Sequence, residues 1–260
     1  DIAQCLVGSE MCIRDRLKRE GKMEEGQAHI QLKKTDARLD AIIVGDPARI
    51  DQVAKFLTDV KNLKYNREFR SICGTYKGKE LLVLSTGVGA PSAAIAIEEL
   101  HNIGVKRIIR VGSAGALQLG IDLGSPIIGE GAVRDDGLTK MYVPEQYPAV
   151  PSTDLLNKAK EIAPDAFYGI IRSHDGFYMD NHEETQAYWS KFGIVGEDME
   201  SGALFTVGRL RGIETLSILN NVVAYGGDLQ AGVNDLVSGN DKVNKGELRT
   251  IEIALEILNR

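Results

Sequence analysis

Long apolar runs are missing from this chain. No stretch of its 260 residues approaches the roughly 20 needed to cross a bilayer, so no membrane partner is expected. An excess of positive charge is missing too. The formal charge of -6 argues against nucleic acid or an anionic membrane as the main partner. Cysteine is scarce: Cys5, Cys12 and Cys73 have no metal-ligand spacing, and an odd count fits a reducing, cytoplasmic setting better than a disulfide scaffold. There is no internal repeat and no low-complexity tract. Charges interrupt every short apolar run near the start, so no secretory leader is expected there.

What is present is the composition of a globular protein large enough to bury a sizeable core. Residues 5–16, "CLVGSEMCIRDR", resemble a translated sequencing adapter. Residues 1–22 are therefore read as an artefactual or disordered extension, with a single domain over 23–260 and a natural start near Met23. From residue 41, short apolar runs alternate with amphipathic ones. "AIIVG", "ELLVLSTG", "VKRIIRVG", "SPIIGEGAVR", "FYGIIRSH" and "TLSILNNVV" read as strands. Helices are expected over 47–60, 91–104, about 182–192, 199–212 and about 243–259. This alternation predicts an α/β fold: one mostly parallel mixed sheet with helices on both faces.

Ligands of such sheets sit beyond the carboxyl ends of the strands, where the polar and glycine-rich segments of this chain fall. Arg110, at the mouth of the apolar run "KRIIRVGSAG", needs either a structural partner or a ligand. Arg49, Arg67 and Arg110, with Ser113 and the amides of Gly45 and Gly112, have the chemistry to bind a tetrahedral oxyanion, and phosphate is the natural candidate. The pentapeptide "EDMES" opens a helix with carboxylates, a common preference at a helix N-terminus. The polar segment 225–242 reads as a mobile loop or lid.

The ordered motifs "VGDPARID", "YNREF", "STGVGAPSAAIAIEEL", "RIIRVGSAGALQ", "AVRDDGLTKMYVPEQYPAV" and "DMES" resemble the hexameric nucleoside phosphorylases, which include uridine phosphorylase and the bacterial-type purine enzymes. The resemblance runs from about residue 29 to the C-terminus. It implies reversible phosphorolysis of a nucleoside to free base and ribose 1-phosphate, with phosphate as co-substrate and no organic cofactor. It implies phosphate binding by Gly45, Arg49, Arg110 and Ser113, with Arg67 reaching in from a neighbouring subunit. Met199 and Glu200 match the ribose contacts, Arg110 and Glu200 being the catalytic pair, and His29 matches a histidine contacting the ribose 5′-hydroxyl of an adjacent protomer. Phe177, Asn181 and Asn221 fall at base-binding places. Glu68, Ser92 and the carbonyl of Val88 match an inter-subunit monovalent-cation (K+) site. The implied assembly is a homo-hexamer, a trimer of dimers.

The base site departs from both branches. Where uridine enzymes carry a glutamine and an arginine, this chain has Asn181 and Glu183. Where purine enzymes carry a late aspartate, it has Asn220 or Asn221. The "REF" and "STGVGAPS" segments sit closer to the uridine branch, so uridine is the expected substrate, with a purine nucleoside as the alternative. A non-catalytic nucleoside-binding protein is the alternative of another class. A dinucleotide fold is disfavoured because "GVGAPS" lacks the third glycine. A nucleosidase would have no use for three phosphate arginines.

Overall fold

A computed structural model describes residues 26–227 and 241–260. After a short 3₁₀ turn at Lys34–Asp36, the strands are β1 (Asp40–Val44), β2 (Thr58–Asn66), β3 (Phe69–Tyr76), β4 (Lys79–Ser85), β5 (Arg107–Ala116), β6 (Pro126–Asp135), β7 (Phe167–His174), β8 (Gly196–Asp198) and β9 (Glu214–Val223). The helices are α1 (Arg49–Ala54), α2 (Ala90–Ile103), α3 (Leu138–Tyr142), α4 (Thr153–Ile162), α5 (His182–Ser190), α6 (Ser201–Leu210) and α7 (Asp241–Asn259). They cover one nine-stranded mixed sheet in the order β2-β3-β4-β1-β5-β8-β7-β6-β9, with β9 also pairing β5. The fold is the expected single α/β domain. Its sheet, however, closes on itself through β5, β9, β6, β7 and β8, which strand-by-strand reading cannot show.

Alternation along β1 builds two cores. Ile42 and Val44 face a layer with Val53, Ile109, Ile218, Ile251 and Leu255, while Ala41 and Ile43 face Leu84, Ile97, Leu100, Leu204 and Phe205 on the other side. Successive strand residues point to opposite faces, so α7 with α4 covers one face and α2 with α6 the other. The expected helix over 47–60 is cut short at Ala54, because the chain turns at Leu57 into β2, the outer member of an antiparallel hairpin with β3. Most of β2 is exposed and three of its nine residues are charged, so it lacks the apolar alternation by which strands are recognised.

Strand β5 positions the site. Its first half lies between β1 and β9, with Ile108 beside Ala41 and Thr215. β1 leaves at Val111, and β8 takes that same edge only at Gly115 and Ala116. Between them Gly112, Ser113 and Ala114 face an opening at the carboxyl ends of the parallel strands, the place where sheets of this class bind ligands. The last helix closes the other side. Gly246 of α7 lies so close to the neighbouring backbone that a Cβ there would sit 2.2 Å from Asn220 Oδ1 and 2.3 Å from the Gly124 carbonyl. Asn220 Nδ2 in turn donates to the Val243 carbonyl at 2.9 Å.

Candidate active site

The opening leads into a cavity of about 400 Å³. Its floor is a buried charge network. Arg110, 4% exposed, donates from Nε to Asp198 at 3.2 Å and from Nη2 to Glu200. Its Nη1 is buried and has no acceptor among the described residues. A buried guanidinium N–H without a partner costs free energy unless a ligand meets it, and Arg110 lines the cavity. Burial works against the charge of Arg110, but Glu200 and Asp198 outweigh it and hold its pKa above the ordinary value. Burial likewise pushes the Glu200 carboxyl up, opposed by Arg110 and by the Gly89 and Met199 amides. The Gly89 amide donates to Glu200 Oε1 at 2.6 Å, tying the "STGVG" turn to this carboxylate.

Arg49 supplies the second guanidinium. Its Nε donates to Glu247 of α7, its Nη2 to Ser113 Oγ at 2.9 Å and its Nη1 to the Val111 carbonyl at 3.3 Å. Gly45, Arg49, Arg110 and Ser113 thus line the same cavity as Met199 and Glu200. Two guanidiniums, a hydroxyl and a loop backbone on one side, facing a carboxylate, can bind a tetrahedral anion and a polyol side by side.

Gly112 makes this packing feasible. A Cβ at Gly112 would stand 2.6 Å from Arg110 Nη2 and 2.7 Å from its Cζ, so the guanidinium crosses where a side chain would be. Gly112→Ala is expected to push Arg110 aside and lower kcat/KM for the anionic co-substrate about 10- to 100-fold, since an ångström of misplacement costs on that order. Initial rates at varied anion concentration check it; unchanged rates would show that Arg110 does not need this path.

The cavity is also lined by the apolar residues Phe177, Ala114, Val222 and Val223. It also holds polar residues that the sequence reading passed over: His174 from the end of β7, His182 from the first turn of α5, and Glu197 from β8. Glu197 is buried and accepts from Arg172 Nη1 at 2.9 Å and from Gln186 Nε2 at 2.7 Å. His182 and Gln186 are four residues apart on α5, hence on one face. The available signal was that "FYGIIRSH" ends in Arg-Ser-His at a strand's carboxyl end, much as the apolar run "KRIIR" ends in Arg110.

Two expected base contacts lie away from the cavity lining. Asn181 is exposed and lies outside the cavity lining. It caps α5, its carbonyl accepting from Thr185, and the next residue, His182, is the one that enters. Asn221 is fully buried, but its Nδ2 donates to the Ile121 and Asp122 carbonyls at 3.0 and 3.1 Å. A bulge in the β5–β9 ladder, with Asn221 beside Ala114 but Val223 beside Gly115, turns Val222 and Val223 into the lining instead.

His29 and Arg67 stand outside this cavity, together. His29 Nδ1 pairs with Glu99 at 2.8 Å and its ring meets Phe69 edge-on. Arg67 is exposed at the β2–β3 turn, and the adjacent Asn66 donates to the His29 carbonyl at 2.8 Å. Glu68, Val88 and Ser92 adjoin: Ser92 Oγ donates to the Val88 carbonyl at 3.2 Å, and the Glu68 stem packs against Gly87. Of the expected loop or lid, 225–242, residues 228–240 lie outside the described residues.

Comparison with known proteins agrees with this geometry. Residues 40–255 match the model of the phosphorylase superfamily. A guanosine phosphorylase of Halorubrum lacusprofundi is 32% identical over 89% of this chain and 95% of its own. A uridine phosphorylase of Thermococcus kodakarensis is 36% identical over 73% of this chain and 75% of its own. The crystal structure of a uridine phosphorylase from Vibrio fischeri, complexed with 6-hydroxy-1-naphthoic acid, superposes with a TM-score of 0.85 at 42% identity, covering 92% of this chain and 99% of that one.

Proposed function

From the premise that the chain belongs to the phosphorylase superfamily, we propose that it phosphorolyses uridine to uracil and ribose 1-phosphate. It is a nucleoside phosphorylase, a pentosyltransferase. The observation that carries the reading is the buried, unpartnered Nη1 of Arg110 beside Arg49, Ser113 and Glu200 in one cavity. Phosphate lies against Arg49, Arg110, Ser113 and the Gly45 backbone. The ribose lies over Met199, its hydroxyls on Glu200, and Phe177 packs against sugar and base. As the bond from C1′ to the base nitrogen stretches, its electron pair leaves with the base and the ribose gains oxocarbenium character. A phosphate oxygen poised below C1′ stabilises that charge and then bonds to C1′.

Inorganic phosphate is the only co-substrate and no organic cofactor is used. A monovalent cation such as K+ would be held by the Glu68 carboxylate, the Val88 carbonyl and the Ser92 hydroxyl, hard oxygen donors that stand together. Arg67 and His29 act on a neighbouring subunit's site, supported by their joint position outside their own cavity. That requires at least a dimer, and the assembly proposed is a hexamer built as a trimer of dimers. The enzyme works in nucleoside salvage in the cytoplasm; no helix among the described residues is long and apolar enough to cross a membrane.

Similarity to a guanosine phosphorylase over most of the chain keeps a purine substrate as the second reading. A panel of uridine, thymidine, inosine, adenosine and guanosine, with and without phosphate, decides. Free base should appear from uridine only when phosphate is present. Turnover without phosphate would sink the phosphorylase reading, and turnover of inosine or guanosine but not uridine would move the assignment to purines.

A further inference from the structure

We infer that His174, Glu197 and His182 form the specificity-determining element of this site: a donor–acceptor–donor row that reads the imide edge of the leaving base. This rests on the uridine reading above and deepens it. The three side chains arrive from β7, β8 and α5 and all line the same cavity. His174 Nε2 stands 3.5 Å from Glu197 Oε2, and His182 Nε2 stands 3.6 Å from Glu197 Oε1. Each imidazole therefore addresses a different oxygen of one carboxylate, at a separation beyond the usual hydrogen-bonding range. The groups are aligned without being consumed by one another.

Arg172 and Gln186 donate to Glu197 from behind, one to each oxygen. A carboxylate oxygen accepts two hydrogen bonds, so each retains capacity toward the cavity. Arg172 is itself fixed, its Nε donating to Asp135 at 2.8 Å.

The histidine tautomers follow from surroundings. In both rings Nδ1 is buried and has no partner among the described residues, so a proton there would be a stranded donor. The proton sits on Nε2, which the long contact with Glu197 leaves able to donate to a base carbonyl. Burial, with Arg172 alongside, holds the His174 pKa below its ordinary value, which favours the neutral ring. The row thus reads Nε2–H of His174, an oxygen of Glu197, Nε2–H of His182.

An imide edge is its complement. In uracil, two carbonyl oxygens flank N3–H: acceptor, donor, acceptor. Cytosine replaces N3–H by a lone pair and one carbonyl by an amino group, so it faces Glu197 with repulsion. Guanine offers one carbonyl and N1–H but then an amino donor, which meets a second N–H. A site whose buried polar groups demand partners rejects the analogue that cannot supply them far more strongly than it rejects a change of size.

The test compares uridine, 3-methyluridine, cytidine and guanosine as substrates of the whole enzyme at saturating phosphate. Uridine should exceed 3-methyluridine and cytidine in kcat/KM at least a hundredfold. His182→Phe should lower kcat/KM for uridine about 10- to 100-fold without changing the KM for phosphate. Glu197→Gln should shrink the ratio of uridine to 3-methyluridine at least tenfold. Where removal of a buried charge leaves Glu197→Gln unfolded, the wild-type substrate ratios and His182→Phe still decide. Comparable rates on uridine and 3-methyluridine would overturn the inference and leave phosphorolysis standing. Absence of phosphate-dependent turnover of any nucleoside would instead overturn the function itself.

Discussion

Arg110→Ala is expected to lower kcat/KM for phosphate about a thousandfold and to destabilise the fold together. Each charge-assisted donor to the reacting anion contributes about 10²- to 10³-fold when removed, and Arg110 is the group whose Nη1 has no other acceptor among the described residues. The stability loss has a separate cause. Asp198 and Glu200 are both buried beneath this guanidinium, and removing one partner of a buried ionic cluster typically costs about 3–5 kcal/mol. Arg110→Lys separates the two effects. It restores a cation between the carboxylates, so most of the stability returns, but a point charge cannot fork between Asp198, Glu200 and an anion, so activity stays low. Thermal unfolding and initial rates at varied phosphate measure the two quantities. An Arg110→Ala enzyme within tenfold of wild type would remove Arg110 from the phosphate site.

Gly246→Ala is expected to destabilise by about 2–3 kcal/mol, against the usual rule for a helix interior. Exchanging glycine for alanine there normally gains about 1 kcal/mol. Here the added methyl would lie 2.2 Å from Asn220 Oδ1 and 2.3 Å from the Gly124 carbonyl. Backbone cannot swing aside, so α7 must lift, at the cost typical of overpacking, about 1–3 kcal/mol and sometimes more. Lifting α7 also withdraws Glu247, which holds Arg49 by its Nε, and Val243, whose carbonyl anchors Asn220. The KM for phosphate should rise as well, since Arg49 loses its backing far from any contact with substrate. Urea unfolding gives the first quantity and phosphate titration the second; a stabilised variant would show that α7 does not rest on Gly124.

Much of this was legible in the sequence because it is local. The apolar run of β5 ending in Arg110, the glycine turn after β4 and the "DMES" junction each announce an element and the polar group it delivers. What stayed hidden depends on register and on distant partners. Asn181 and His182 are neighbours, and which of them enters the cavity depends on where α5 begins. Asn221 and Val222 exchange faces because of a bulge that the β9 sequence does not mark. Glu197 looked like an ordinary acidic residue before a helix, and only the arrival of Arg172, Gln186 and two histidines from other elements gives it a purpose. The β2–β3 hairpin escaped because β2 is mostly exposed, leaving no pattern for burial to impose.

The splitting of β5 also bears on how the chain reaches its native state. Its partners along the opening are β1, β8 and β9, paired as Ala41 with Ile108, Gly115 with Glu197 and Thr215 with Ile108. Every one of these contacts closes a loop of many tens of residues, and non-local strand pairing is slow because the loop entropy is lost before the pairing rewards it. The floor of the cavity is therefore assembled late, from segments that have already found their helices. Enzyme activity is accordingly expected to return no sooner than the helical signal during refolding, which parallel measurements of the two would check.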